Sequence, residues 1–277
     1  MKISPHIIFL GALSLLVTVS TFAQEKSWIQ LNAEVLMLYQ EGRYSEAAKV
    51  AEEALKVAEK TYGPEHPHVA TSLNNLGALL KDQGKYDEAE LFYNRALEMR
   101  EKVLGQNHPR VATALHNLGS LYYSQGRYTE AESLYNRALK IDKKALGRDH
   151  LDFARDLSSL ARLYEKQGKY AEAEAFHKRA LKIHERALPK DHPLVAVDLS
   201  SLAGLYESHG RYAEAEPLYK RSLNIFEKAL GKNHPDVAKT LENMAGFYKK
   251  IGKKEEAASL EERARKIHLQ KKSEGQH

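Results

Sequence analysis

The stretch HPRVATALHNLGSLYYSQGRYTEAESLYNRALKIDKKALG, His108 to Gly147, decides how the chain folds. In its first part Val111, Leu115, Leu118 and Tyr122 recur at three- and four-residue steps, so they share one face of a helix. In its second part Tyr128, Ala131, Leu134, Tyr135, Ala138, Leu139 and Ile141 make a broader apolar face of the same period. Gly126 stands between them, where a left-handed residue without a side-chain clash ends the first helix. The unit is a helical hairpin.

The unit repeats. Gly42, Gly84, Gly126, Gly168, Gly210 and Gly252 are 42 residues apart, and each is followed by Lys or Arg. Tyrosine comes next at Tyr44, Tyr86, Tyr128, Tyr170 and Tyr212, and Lys254 takes the sixth place. Small residues hold two further columns: Gly77, Gly119, Ala161, Ala203 and Ala245, then Ala96, Ala138, Ala180, Ser222 and Ala264. A larger side chain in either column would hold the two helices apart. One hairpin cannot bury both its faces, so each leans on the next and the chain is a solenoid.

The order Leu115, Leu118-Gly119, Tyr122, Gly126, Tyr128, Ala131, Tyr135, Ala138 resembles the tetratricopeptide repeat, whose usual period is about 34 residues. The 42-residue form, with RALEMREKVLGQNHPRVATALHNLG from Arg95 to Gly119, is similar to the repeats of kinesin light chains and their bacterial relatives. The resemblance covers Gln30 to Gln270 and implies an all-α, right-handed superhelical solenoid of six hairpins, spanning residues 24–270 with a polar tail at 271–277. No heptad pattern precedes the repeats, so a motor-joining segment is not expected. At the ends, Glu34, Lys254, Glu261 and Arg265 replace apolar positions, as suits faces without a neighbour.

Composition agrees with helices and narrows the chemistry. The 277 residues are 43% apolar and 29% charged, and 42 basic residues nearly balance 37 acidic ones, without the concentrated basic stripe that nucleic acid favours. With no cysteine there are no disulfides, thiolate nucleophiles or thiolate metal sites. Lys2, the apolar run Ile7 to Ala23 and the small residues Thr21-Phe22-Ala23 read as an export signal at residues 1–23. The expected location is a bacterial periplasm or the exterior, with membrane attachment only where that segment is retained.

The periodic histidines His66, His108, His150, His192 and His234 invite a metal reading. Packed helices stand roughly 10 Å apart, whereas zinc needs its nitrogens within about 2.1 Å. Each histidine precedes a helix, and in four copies proline follows, a residue suited to the first helical turn. They read as the joint between hairpins. There is no HExxH, no Gly-x-Ser-x-Gly elbow and no phosphate loop, so no catalytic residue, metal, cofactor or small-molecule substrate is assigned. Glu88 and Glu90 are expected to face solvent or to pair with the periodic arginines Arg95, Arg137, Arg179 and Arg221.

The resemblance implies that the first helix of each hairpin lines a concave groove that holds an extended peptide. The positions off the packing face include Asn74 and Asn75; Thr113, His116, Asn117 and Tyr123; Arg155, Ser158 and Arg162; Ser200; and Lys239 and Asn243. Amide side chains both donate to and accept from a peptide backbone, while Arg155 and Arg162, two turns apart, suit a carboxylate. The expected function is a non-catalytic protein-interaction scaffold for an extended, acidic partner segment. Self-assembly through end or convex faces is the alternative.

Overall fold

The computed structural model describes residues 26–274, with side chains through Gln270. The export segment read at residues 1–23 lies outside the described residues. Twelve helices form six hairpins: α1 (Trp28–Gln40) with α2 (Tyr44–Tyr62), α3 (Pro67–Asp82) with α4 (Tyr86–Leu104), and α5 (Pro109–Ser124) with α6 (Tyr128–Ala145). They continue as α7 (Leu151–Lys166) with α8 (Tyr170–Ala187), α9 (Pro193–Ser208) with α10 (Tyr212–Leu230), and α11 (Pro235–Lys250) with α12 (Lys254–Glu274). No strand occurs among the described residues. The last helix runs past Gln270 into the segment read from sequence as a polar tail.

The small-residue columns close each hairpin. A Cβ added to Gly119 would stand 2.9 Å from the Tyr135 ring, and one at Gly77 equally near Tyr93. Ala96, Ala138, Ala180 and Ser222 are wholly buried, so the second helix is pressed as tightly on its own side. At the turn, Gly126 takes φ 76° and the next amide, Arg127 N, donates to Tyr122 O at 2.9 Å, which ends α5 and starts α6 one residue later.

Odd-numbered helices make one layer and even-numbered helices the other, and polar side chains tie neighbouring hairpins on both. Glu90 accepts from Tyr122 (2.8 Å) and Arg127 (2.9 Å), whose guanidinium also lies 3.8 Å over the Tyr122 ring. Glu174 repeats this with Tyr206 and Arg211, and the Arg211 hydrogen bond holds its carboxyl down to about 2. From the third hairpin on, the basic residue after the glycine (Arg127, Lys169, Arg211, Lys253) thus clamps the preceding hairpin. In the even layer Arg95 pairs with Glu59 (2.6 Å), Arg137 with Glu101 (2.5 Å) and Arg221 with Glu185 (2.6 Å). These contacts correct the expectation for Glu90: its partner is Arg127 of the next turn, because the column of Arg95 projects instead toward the preceding even helix.

The five periodic histidines all do one job. Each is the N-cap of an odd helix, and its Nδ1 accepts from the amide two residues on, as in Arg110 N to His108 at 3.1 Å and Leu194 N to His192 at 3.2 Å. That bond satisfies one of the orphan donors of the first turn.

Candidate functional site

The outward face of the odd layer carries the residues selected from sequence, and it changes character along the solenoid. At its start, Asn75 Nδ2 donates to Asn32 Oδ1 (3.0 Å), and Asn117 Nδ2 donates to Asn74 Oδ1 (2.7 Å). Each amide is thereby held by the neighbouring hairpin, with Asn74 Nδ2, Asn75 Oδ1 and Asn117 Oδ1 unpaired among the described residues. Beside them Ile29 and Leu36 are 70% and 58% exposed, and Leu36 and Tyr39 line a small recess with Asn32 and Asn75. The first hairpin therefore gives this face an apolar end.

In the middle the neutral amides give way to ionisable groups. His116 Nδ1 lies 2.9 Å from Asp156 Oδ1. Burial, assisted by Arg155, Arg162 and Lys81, pushes the His116 imidazole down to about 3, so it is neutral and donates a hydrogen bond rather than forming an ion pair. Ser158 Oγ donates to Asp198 Oδ1 (3.1 Å), and His184 Nδ1 lies 2.5 Å from Asp198 Oδ2. Thr113 is turned back on Pro109 O (3.3 Å), and Tyr123 stacks obliquely beside Tyr128.

Between α7 and α9 this face opens into a cavity of about 320 Å³. Arg155, Ser158 and Arg162 form one wall and Leu194 and Val197 the other, over a floor that includes Asp198 and His184. Arg155 and Arg162 do meet there, but in different states. Arg155 donates to Asp152 (2.8 Å) and stands 3.5 Å from Asp156 and 3.6 Å from Asp142. Arg162 is exposed, touches only Ser159 Oγ at 3.4 Å and has no ion pair among the described residues. Farther on, Ser200 faces Ser222 Oγ at 2.8 Å and is engaged with the core, while Lys239 and Asn243 are exposed.

The aliphatic wall, Leu194 and Val197, and the buried acids Asp142, Asp156 and Asp198 are not among the polar groove positions expected from sequence. Their signal lay in the 42-residue columns: Asp156 and Asp198 stand where Ser72, Ala114 and Thr240 are small or neutral. Among the described residues no group of three or more His, Asp or Glu is placed to hold a metal ion, and no helix is long and apolar enough to cross a membrane.

With six hairpins and this face in view, the chain's relationships are plain. The tetratricopeptide repeat model matches residues 28–102, 82–144, 110–186, 152–228 and 199–270, and the chain belongs to that family. Its fold is similar to that of BtubC (BKLC) from P. vanneervenii, with TM-score 0.66 and 24% identity over 83% of this chain and 90% of that one. It is also similar to a putative kinesin light chain of Podosopora anserina with nearly identical TPR-like repeats, at TM-score 0.61 and 27% identity over 74% and 98%. A Rap protein complexed with competence and sporulation factor shares the fold at TM-score 0.64 and 15% identity over 89% and 76%. No protein with a curated description matches the sequence.

Proposed function

We propose that this protein is an exported, non-catalytic interaction scaffold whose odd-helix face holds an extended, acidic segment of a partner protein, in a bacterial periplasm or outside the cell. The observation that carries the reading is the cavity between α7 and α9, where the unpaired Arg162 faces the exposed side chains of Leu194 (41%) and Val197 (48%). A guanidinium opposite aliphatic carbon suits a carboxylate next to an apolar group. On either side the half-satisfied amides of Asn74, Asn75 and Asn117, and the exposed Lys239 and Asn243, offer sequence-tolerant contacts to a backbone. The fold is typical of protein-interaction scaffolds, and the Rap structure holds a second molecule on it. Export rests on Lys2 and the run from Ile7 to Ala23.

Self-assembly through the ends is less well supported. Glu34 stands in a leucine column on the first edge and pairs with Lys26 at 2.6 Å, and Glu261 on the last helix pairs with Lys249. Each edge thus carries an ion pair, set at the first beside the exposed Ile29 and Leu36.

The test is affinity capture from an envelope extract with the mature chain and with its Arg162→Glu and Val197→Asp variants, followed by mass spectrometry and cross-link mapping. Loss of a partner whose cross-links fall on α7 and α9 is expected. Retention of the same partners by both variants would sink the groove reading. Arg155 is a poor choice for this test, since its guanidinium also answers buried acids.

A further inference from the structure

The junction between the third and fourth hairpins is polar in a way that no other junction is. Asp142 on α6 and Asp156 on α7 come from adjoining hairpins, are 1% and 0% exposed, and converge on one guanidinium nitrogen of Arg155, at 3.6 and 3.5 Å. Both oxygens of Asp142 and Oδ2 of Asp156 have no donor in the structure. At the equivalent place one junction later stand His184 and Asp198, a donor and an acceptor; here there are two acceptors. Two acceptors form a satisfied contact only when one of them carries a proton.

The surroundings do not supply another counter-charge. From α7, Asp152 adds negative charge and takes the best hydrogen bond of Arg155, which reaches Asp142 and Asp156 only at 3.6 and 3.5 Å. From α5, His116 is neutral. Arg162 on α7 and Lys81 on α3 are directed to the outward face, and His184 on α8 is matched to Asp198 on α9. Burial raises both carboxyls from 3.8 to about 7, with their mutual repulsion adding to the effect at Asp142. Arg155 therefore has one end of its environment in the groove and the other on a buried carboxyl pair whose proton affinity is raised.

We propose that the cavity between α7 and α9 is a proton-coupled carboxylate site: a carboxylate arriving in the groove engages Arg155 and Arg162 while the Asp142–Asp156 pair, losing its share of Arg155, takes up a proton from solvent. This rests on the groove reading above and adds to it a ligand chemistry and a pH response. The sign follows from charge. As pH falls through neutrality the pair loses negative charge, Arg155 is less compensated from within, and an anionic ligand binds more tightly; by reciprocity the bound ligand raises the pair's proton affinity. The ligand-free protein responds as well. A carboxyl whose folded value is raised adds stability below its unfolded value of 3.8 that is lost as pH rises toward about 7.

Acetyl-hexaglutamate amide serves as the probe, since its side chains stay ionised from pH 6 to 8. Calorimetry at the two pH values, each in two buffers of different ionisation enthalpy, is expected to show affinity about tenfold higher at pH 6, with net proton uptake on binding. The protein's histidines also gain charge over that range, so the deciding variants are Asp142→Asn and Asp156→Asn. Each removes a charge from the pair, and each is expected to bind at pH 8 as tightly as the native chain does at pH 6, with the pH dependence lost. Arg162→Gln should weaken binding at both pH values. Persistence of the full pH dependence in both Asn variants overturns the coupling and leaves the groove reading standing; absence of binding at either pH overturns both. A carboxyl-carbon NMR titration of the ligand-free chain gives an independent check. Resonances of Asp142 and Asp156 that both titrate below pH 5 would also overturn the proposal.

Discussion

The junction between the second and third hairpins and the junction between the third and fourth use the same columns of the repeat and fill them differently. At the first, Asn117 and Asn74 share a neutral amide bond, Arg100 donates to Arg110 O at 3.1 Å, Arg137 pairs with Glu101, and Glu90 is fully engaged by Tyr122 and Arg127. At the second, His116 meets Asp156, the place of Arg100 is taken by Asp142, and Lys143 occupies the column of Glu101. Lys143 therefore cannot answer Arg179, whose guanidinium instead lies 4.9 Å from the Phe153 ring centre. Lys169 stands 3.8 Å from Glu132, the loosest of the inter-hairpin clamps. In a solenoid, stability is nearly a sum over units and their interfaces, so a junction can be weakened without disturbing the fold elsewhere. The groove cavity opens next to the junction where the polar columns are least satisfied.

Two substitutions at buried acids break the comparison from opposite sides. Asp198→Ala, one junction further on, removes the acceptor of both the buried His184 and the half-buried Ser158 and leaves the imidazole without a partner. A loss of about 3 kcal/mol is expected from urea unfolding, at the upper end for hydrogen bonds to a charged group. Asp142→His instead copies the His184–Asp198 pair onto the weaker junction. It is expected to stabilise the chain by about 1 kcal/mol at neutral pH, a typical net value for a buried hydrogen bond gained, and to flatten the fall in stability between about pH 4 and 7 that the raised carboxyls impose. A destabilised Asp142→His protein would mean that the carboxyl pair is already satisfied in a way the geometry does not show.

The difference between these junctions also marks what the sequence made legible. The hairpin, its period and its packing could be read because they depend on columns that repeat: glycine at 42-residue steps, small residues where Gly119 meets Tyr135, and an apolar face such as that of α5. The capping role of the histidines was half legible. Their place at the start of each odd helix followed from the proline after them, but an imidazole acceptor is not among the usual N-caps. The site was less legible still. Arg155 reads in sequence as a free groove cation, and only contacts spanning α6 and α7 reveal that Asp142, Asp152 and Asp156 surround it. Pairings such as His116 with Asp156 join residues 40 apart through the stacking of hairpins, and helical periodicity within one hairpin cannot assign them.

The smallest expected effect sharpens the comparison on the even layer. Lys143→Glu would restore the column of Glu59, Glu101 and Glu185 and give Arg179 the partner that Arg95, Arg137 and Arg221 have. Both side chains are exposed, so the direct gain should be about 0.5 kcal/mol or less and should vanish in high salt. The informative readout is local: amide hydrogen exchange in α6 and α7 should slow, while exchange in α2 and α4 stays unchanged, if neighbouring units couple mainly to one another. Equal slowing along the whole chain would show that the third junction is no softer than the second. The Arg179 guanidinium over Phe153 would then be an adequate substitute for the missing ion pair.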